Sequence, residues 1–241
     1  MPGKGLNWNE RIQKGSFMKR LWHWPLDPGG RTVRLALDEK RAETDLRTCR
    51  PGAPIAELPD LPPGTELPVL MDTSGEQKIT ASGTHAILEY LEGLEAGPRL
   101  MPFLAKDRAE VRRLWQWSET SFGEVNRTLL AERENQWVRR SKQSDTARLR
   151  EGIHALKSKI AFLEGLAGMR PYMAGRTLSL ADLSIAAHLS AYDYFGDVPW
   201  DLTPDLKQWY ARMKSRPSFR PLLADKVEGT RPPRHYADLD F

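Results

Sequence analysis

The character of the sequence changes near Pro98 and Pro102, and this change limits the chain to a two-part fold. Before these prolines, short apolar runs alternate with turn-forming Pro and Gly residues. After them, apolar residues recur every three or four positions over long stretches, as they do on one face of a helix. We therefore predict a mixed α/β domain over residues 18–97 and an all-helical domain over residues 103–223.

The first part has the order strand, helix, strand, loop, hairpin, helix. At the start of its first helix, Asp27 suits the N-cap position and Pro28 suits the first helical position. This order is that of a thioredoxin-like domain. The predicted elements are strands at 21–24 and 46–49, a loop at 51–63, a hairpin at 68–71 and 77–79, and helices at 31–40 and 82–94.

The second part is predicted to be helical throughout. Apolar stripes predict helices at 107–133 and 149–167, and a last helix is expected at 204–215. Ser179 and Asp182 are spaced as a capping box, in which each side chain reaches a backbone N–H at the start of a helix. Their expected role is structural.

Composition excludes several classes of protein. With 40% hydrophobic and 28% charged residues in 241, the chain has enough apolar side chains for a core and is not expected to be disordered. No apolar run approaches the roughly 18 residues of a membrane span. The lone cysteine, Cys49, fits a reducing compartment and is read as a buried inert thiol, with a nucleophile as the alternative. A net charge of +4 is weak support for nucleic-acid binding.

The two ends of the chain are expected to lie outside the domains. Residues 1–17 are polar, lack the apolar centre of a secretory signal, and are read as a flexible extension. Residues 224–241 form a tail in which prolines precede alternating acidic and apolar residues. Two interpretations remain open: a docking peptide centred on Asp238, or a segment packed on its own domain through Tyr236, Leu239 and Phe241.

Three stretches together resemble the cytosolic glutathione transferase family. They are the strand, turn and helix at 22–37, the Glu-Leu-Pro-Val-Leu run at 66–70 with its continuations at 79–82 and 87–91, and the Gly-Arg-Thr-Leu-Ser-Leu-Ala-Asp run at 175–182. The resemblance covers residues 18–223. It implies an α/β N-terminal thioredoxin-like domain followed by an all-α C-terminal domain, and glutathione as the ligand of an active member.

The resemblance also implies a glutathione site, of which a remnant is expected at Asp27, Leu67, Pro68 and Ser82. In the family, a cis peptide before Pro68 would turn the Leu67 backbone outward toward the peptide part of glutathione; an ordinary trans proline is the alternative. Ser82 is expected to bind the γ-glutamyl group or to act as a plain N-cap. The acidic residue or Gln that usually precedes this serine is replaced by Ala81.

The turn before the first helix argues against transferase chemistry. A transferase holds the glutathione sulfur as a thiolate, and lowering a thiol pKa of about 8.5 by two units needs about 2.7 kcal/mol. Family members place a Tyr, Ser or Cys in this region, whereas residues 25–30 contain neither a hydroxyl nor a thiol. Asp27 has the wrong charge for this task, because a carboxylate raises a neighbouring thiol pKa. No catalytic residue is therefore assigned, and the scattered histidines suggest no metal site.

Aromatic and basic residues in the helical part suggest a binding surface. Trp117 is expected on the polar side of its helix, and Arg139 and Arg140 belong to a basic, tryptophan-containing segment at 133–142. We predict partner contacts at Trp117, Glu119, Arg139 and Arg140. The alternative is a solvated charged face whose tryptophans are covered by a neighbouring domain or by a homodimer partner.

Four further stretches resemble one branch of the family, the transferase-like division proteins that bind filaments of the tubulin-like protein FtsZ. They are residues 25–31, 192–200, 215–226 and 235–241. This resemblance implies a cytoplasmic homodimer at the division site, without glutathione chemistry. Nucleic acid is not expected as a partner, because only the basic charge favours it and no motif for reading nucleic acid is present. It also implies that the tail near Asp238 connects FtsZ to septal wall synthesis. The alternative function is an active glutathione transferase, with glutathione as its cofactor.

Overall fold

The computed structural model describes residues 19–75, 77–94, 96–139, 143 and 145–239, and contains the two predicted parts. The first comprises a four-stranded sheet and two helices, and the second is helical. The elements are β1 (Lys19–His23), α1 (Pro28–Glu39), β2 (Thr44–Thr48), β3 (Val69–Asp72), β4 (Ile79–Ser82), α2 (Thr84–Gly93), α3 (Ala105–Val125), a π-helical turn (Asn126–Leu130), α4 (Ala131–Trp137), α5 (Thr146–Met169), α6 (Leu180–Asp193), α7 (Pro204–Lys214) and α8 (Arg220–Leu223), with short 3-10 turns at Trp200–Leu202, Pro217–Phe219 and Arg234–Tyr236.

The sheet confirms the thioredoxin-like order. Its strands lie in the order β2-β1-β3-β4, with β1 parallel to β2 and antiparallel to β3. The parallel pair is joined through α1, because a parallel connection needs a crossover. The α1 helix packs between the sheet and α6, so the two parts share one hydrophobic core.

The helix-start signals in the sequence are confirmed. The Asp27 carboxylate accepts a hydrogen bond from the Gly30 N–H at 2.5 Å, and α1 begins at Pro28. In the capping box, the Ser179 N–H donates to Asp182 Oδ2 at 3.0 Å, and Asp182 also accepts from the Met173 N–H at 2.7 Å. These local pairs fix where α1 and α6 enter the interface between the two domains.

Two predicted helices differ from the structure. The helix expected at 107–133 is divided into α3 and α4 by the π-helical turn at Asn126–Leu130, which rotates α4 relative to the apolar stripe of α3. The helix expected from Ser82 begins at Thr84 instead. Ser82 is the last residue of β4, paired with Val69, and Gly83 is the N-cap residue with φ +81°, a conformation that glycine adopts without strain.

The tail folds back on the helical domain over the described residues. Tyr236 is fully buried, and its hydroxyl donates to the Leu222 carbonyl at 3.1 Å. Leu239 is half-buried, and Phe241 lies outside the described residues. The packed-back interpretation therefore accounts for the tail as far as Leu239, with Tyr236 as its anchor.

Candidate functional site: the cleft between the domains

The cleft begins at the turn between β1 and α1. Asp27 is half-buried here, and burial raises the pKa of its carboxyl to about 7, with the Glu119 and Glu134 carboxylates adding to the rise and the Gly30 N–H opposing it. Because the carboxyl accepts the Gly30 N–H, the Asp27 side chain serves as the N-cap of α1, as the sequence predicted. An acidic group in this place raises the pKa of a neighbouring thiol, so it does not favour a thiolate.

The Leu67–Pro68 turn lies beside Asp27. The peptide bond before Pro68 is cis, as the family resemblance implied. Neither the N–H nor the C=O of Leu67 is hydrogen-bonded to backbone of the described residues. A cavity of about 400 Å³ is lined by Asp27, Leu67 and Glu66 together with the loop residues Pro51, Gly52, Gly64 and Thr65. A peptide backbone could pair with Leu67 here, and it would face two carboxylates.

Thr84, which the sequence interpretation missed, stands at the helix start nearest the cleft. Its Oγ1 lies only 2.4 Å from where a Cβ at Gly29 would sit, so the two elements approach closely because position 29 is glycine. Ser82 is exposed at the end of β4. The expectation that Ser82 caps this helix is wrong, because the positive φ of Gly83 delays the helix by two residues.

Glu119 of α3 is half-buried and lies against α6. Its Oε1 accepts a hydrogen bond from the Ser184 hydroxyl at 2.9 Å, which links α3 to α6. Next to it, the buried ring of His188 contacts the Ser184 carbonyl through Nδ1 at 2.9 Å, and burial lowers the pKa of this histidine. Glu119 thus belongs to a polar cluster between α3 and α6 of the helical domain.

Trp117 lies on a different side of α3 from Glu119, because side chains two positions apart on a helix point in directions that differ by about 200°. The Trp117 ring packs against Phe162 of α5, with a centroid distance of 4.6 Å, and against Phe122 at 5.7 Å. It is half-buried rather than exposed on a polar face. The structure therefore separates Trp117 from Glu119, and Trp117 from the cavity that Arg139 lines.

Arg139 lies at the other end of the cleft. It is exposed just beyond α4 and lines a cavity of about 410 Å³ that Trp24 and Arg50 of the first domain also line. The Trp24 Nε1–H donates to Glu134 Oε1 at 2.9 Å across the domain boundary. Arg50 and Glu134 were missed because each is unremarkable within its own segment. Arg140 lies outside the described residues.

Other candidate residues have structural partners. Arg133, part of the predicted basic segment, donates to Asp197, with its Nε 2.9 Å from Oδ2. Cys49 is half-buried, and burial raises the pKa of its thiol, which disfavours a nucleophilic role. Asp238 is exposed in the tail, while its backbone carbonyl accepts a hydrogen bond from Lys214.

No group of three or more His, Cys, Asp or Glu side chains suited to a metal ion occurs within the described ranges. In that same part of the chain, none of the helices combines the length and the hydropathy that crossing a membrane requires.

Comparisons with known proteins agree with the fold and the cleft. Residues 21–99 match the glutathione S-transferase N-terminal domain and residues 132–226 match the C-terminal domain. The chain belongs to the glutathione S-transferase family. Within that family it is 44% identical to FtsZ-localized protein A of Caulobacter vibrioides, over 94% of this chain and all of that protein.

Solved structures of FzlA and of a glutathione S-transferase resemble this chain over nearly their whole length. The structure of FzlA from C. crescentus superposes with a TM-score of 0.87 at 44% identity, covering 92% of this chain and 99% of that one. A glutathione S-transferase from Rhodospirillum rubrum F11 has a TM-score of 0.85 at 41% identity, covering 93% of this chain and all of that one.

Proposed function

We propose that this protein is a non-catalytic adaptor that binds FtsZ filaments and promotes division and septal wall synthesis. The observation that carries the proposal is the 44% identity to FtsZ-localized protein A over 94% of the chain. The cleft supports it, because its activating position holds the capping carboxylate of Asp27 instead of a hydroxyl or thiol.

The adaptor acts in the cytoplasm at the division site as a homodimer. Two copies of one binding surface on a dimer would contact neighbouring subunits of a filament, so that effective concentration strengthens weak single contacts. The half-buried Trp117 on α3 and the exposed Phe162 on α5 pack together and offer apolar area that a second copy could cover. The tail near Asp238 contacts the wall-synthesis machinery.

Co-sedimentation with FtsZ filaments tests the adaptor function. We expect the protein to pellet with GTP-assembled FtsZ and to stay in the supernatant when GTP is omitted. Arg139→Glu should reduce the pelleted fraction, and the reduction should be larger at low salt, because salt screens exposed charges. Arg176→Glu is the matched control, since Arg176 is an exposed arginine in the loop between α5 and α6. Wild-type protein that stays in the supernatant would exclude the proposal.

The second candidate is an active glutathione S-transferase. It is favoured by the free backbone groups of Leu67 beside the cleft and by the 41% identity to the R. rubrum glutathione S-transferase. Retention on immobilised glutathione together with turnover of chlorodinitrobenzene would support this function. We expect neither from the adaptor, because Asp27 and Glu66 face the position of an anionic tripeptide.

A further inference from the structure

The cavity at the Arg139 end of the cleft is built by both domains. Trp24, Arg50 and Pro51 come from the first domain, and Glu134, Val138 and Arg139 come from α4 and the residues that follow it. Its volume of about 410 Å³ is enough for a few side chains of a bound segment. The Trp24–Glu134 hydrogen bond holds its two walls together.

The charge at this cavity is not neutralised. Arg50 and Arg139 are both exposed, and neither forms an ion pair within the part of the chain that the structure describes. Some exposed arginines elsewhere are paired, such as Arg112 with Glu89 at 2.7 Å. The single carboxylate in the wall, Glu134, is half-buried and accepts the Trp24 hydrogen bond. Burial raises its pKa, while the Trp24 hydrogen bond and the charge of Arg139 oppose the rise. Two guanidinium groups from different domains therefore stand at the opening, with Glu134 as the one carboxylate that lines the cavity beside them.

Apolar surface lies between the two arginines. The indole N–H of Trp24 is used by Glu134, and the half-buried ring packs on the core cluster of Leu26 and Tyr194 while also lining the cavity. Val138 and Pro51 extend this surface. Arginine pairs well with carboxylates through its planar fork of donors, and aromatic rings bind apolar or planar groups.

We propose that this cavity binds an acidic, extended peptide segment of the partner protein. One carboxylate pairs with Arg50, another pairs with Arg139, and an apolar side chain between them packs on Trp24 and Val138. Because the two arginines belong to different domains, bound peptide bridges the domain boundary. A peptide fits better than a nucleic acid, since Val138 and Pro51 beside Trp24 offer an aliphatic side chain an apolar surface between the two arginines. The identity of the partner rests on the proposed adaptor function. The chemistry of the site rests only on the residues that line the cavity.

Two probes test the site separately from the function. The first is a rhodamine-labelled 20-residue poly-glutamate peptide followed by fluorescence anisotropy, and the second is FtsZ filament co-sedimentation. We expect Arg50→Glu and Arg139→Glu each to weaken both by about tenfold, because reversal replaces attraction by repulsion of similar size. Arg176→Glu should change neither. Circular dichroism and the melting temperature confirm that each variant is folded.

The outcomes are distinguishable. If poly-glutamate binding depends on both arginines but FtsZ does not pellet with wild-type protein, the site is supported and the adaptor function fails. If FtsZ pellets and Arg50→Glu behaves like Arg176→Glu in both assays, the two-domain site is overturned and the function stands. Tighter binding of a 20-nucleotide oligo-dT than of poly-glutamate, lost in both arginine variants, would also overturn the proposal in favour of nucleic acid.

Discussion

Arg34 of α1 binds Asp225 of the C-terminal segment through two hydrogen bonds, Nη1 to Oδ2 at 2.7 Å and Nη2 to Oδ1 at 3.0 Å. Arg31, one turn earlier, reaches the same carboxylate at 3.5 Å and donates to the Tyr236 hydroxyl at 2.9 Å. Both arginines are buried. The segment after α8 is thus part of the interface between the domains.

Asp225→Asn should destabilise the protein by about 3–5 kcal/mol, because it leaves two buried guanidinium groups without their counter-charge. Urea unfolding at neutral pH measures the change. Asp60→Asn, at an exposed loop position, is the control and should stay within about 0.5 kcal/mol of wild type. Equal stability of the two variants would show that Asp225 does not compensate these charges.

Lys214→Met should release the end of the tail. The buried Lys214 ammonium donates to the carbonyl of His235 at 2.8 Å and to that of Asp238, and methionine keeps the apolar stem but has no donor. We expect faster tryptic cleavage after Arg234, which His235 follows, since cleavage requires local opening. Exposed Lys157→Met serves as the comparison, and equal cleavage rates in the two variants would contradict this role.

Asp27→Asn should change how stability depends on pH. Its carboxyl has a pKa of about 7 in the folded protein against an ordinary value of 3.8, so the folded state retains a proton that the unfolded state has lost between these pH values. Stability from this group therefore falls as pH rises from about 4 to about 7 and is constant above. Asparagine still accepts from the Gly30 N–H and does not titrate.

We accordingly expect the free energy of unfolding of Asp27→Asn, relative to wild type, to increase from pH 5 to pH 7 and then level off. Urea titrations at pH 5, 6, 7 and 8 measure this difference. A difference that is independent of pH would mean that Asp27 has its ordinary pKa in the folded protein.

Asp238→Lys should separate the two proposed activities. The side chain is exposed, and Lys214 donates its hydrogen bond to the backbone carbonyl of Asp238, which the substitution leaves in place. We expect unchanged FtsZ co-sedimentation and impaired division when the variant replaces the wild-type protein in cells. Loss of filament binding by this variant would place the tail in the filament surface.

The sequence by itself determined the elements whose causes are local. Asp27 with Pro28 and Ser179 with Asp182 specify helix starts through hydrogen bonds within three residues, and both were predicted correctly. The periodic apolar stripes likewise specify the helical domain, although the π-helical turn at Asn126–Leu130 leaves no clear signal in the pattern.

Only the tertiary structure decided which residues face one another. Arg50 and Arg139 are 89 positions apart and share a cavity because the domains pack together, and Trp117 is partly covered because Phe162 of another helix lies against it. Ser82 was predicted to begin the second helix but ends β4, because Gly83 adopts a positive φ that ends the strand and delays the helix start to Thr84. Helix caps depend on neighbours along the chain, whereas binding surfaces depend on the packing of distant segments, which no local pattern encodes.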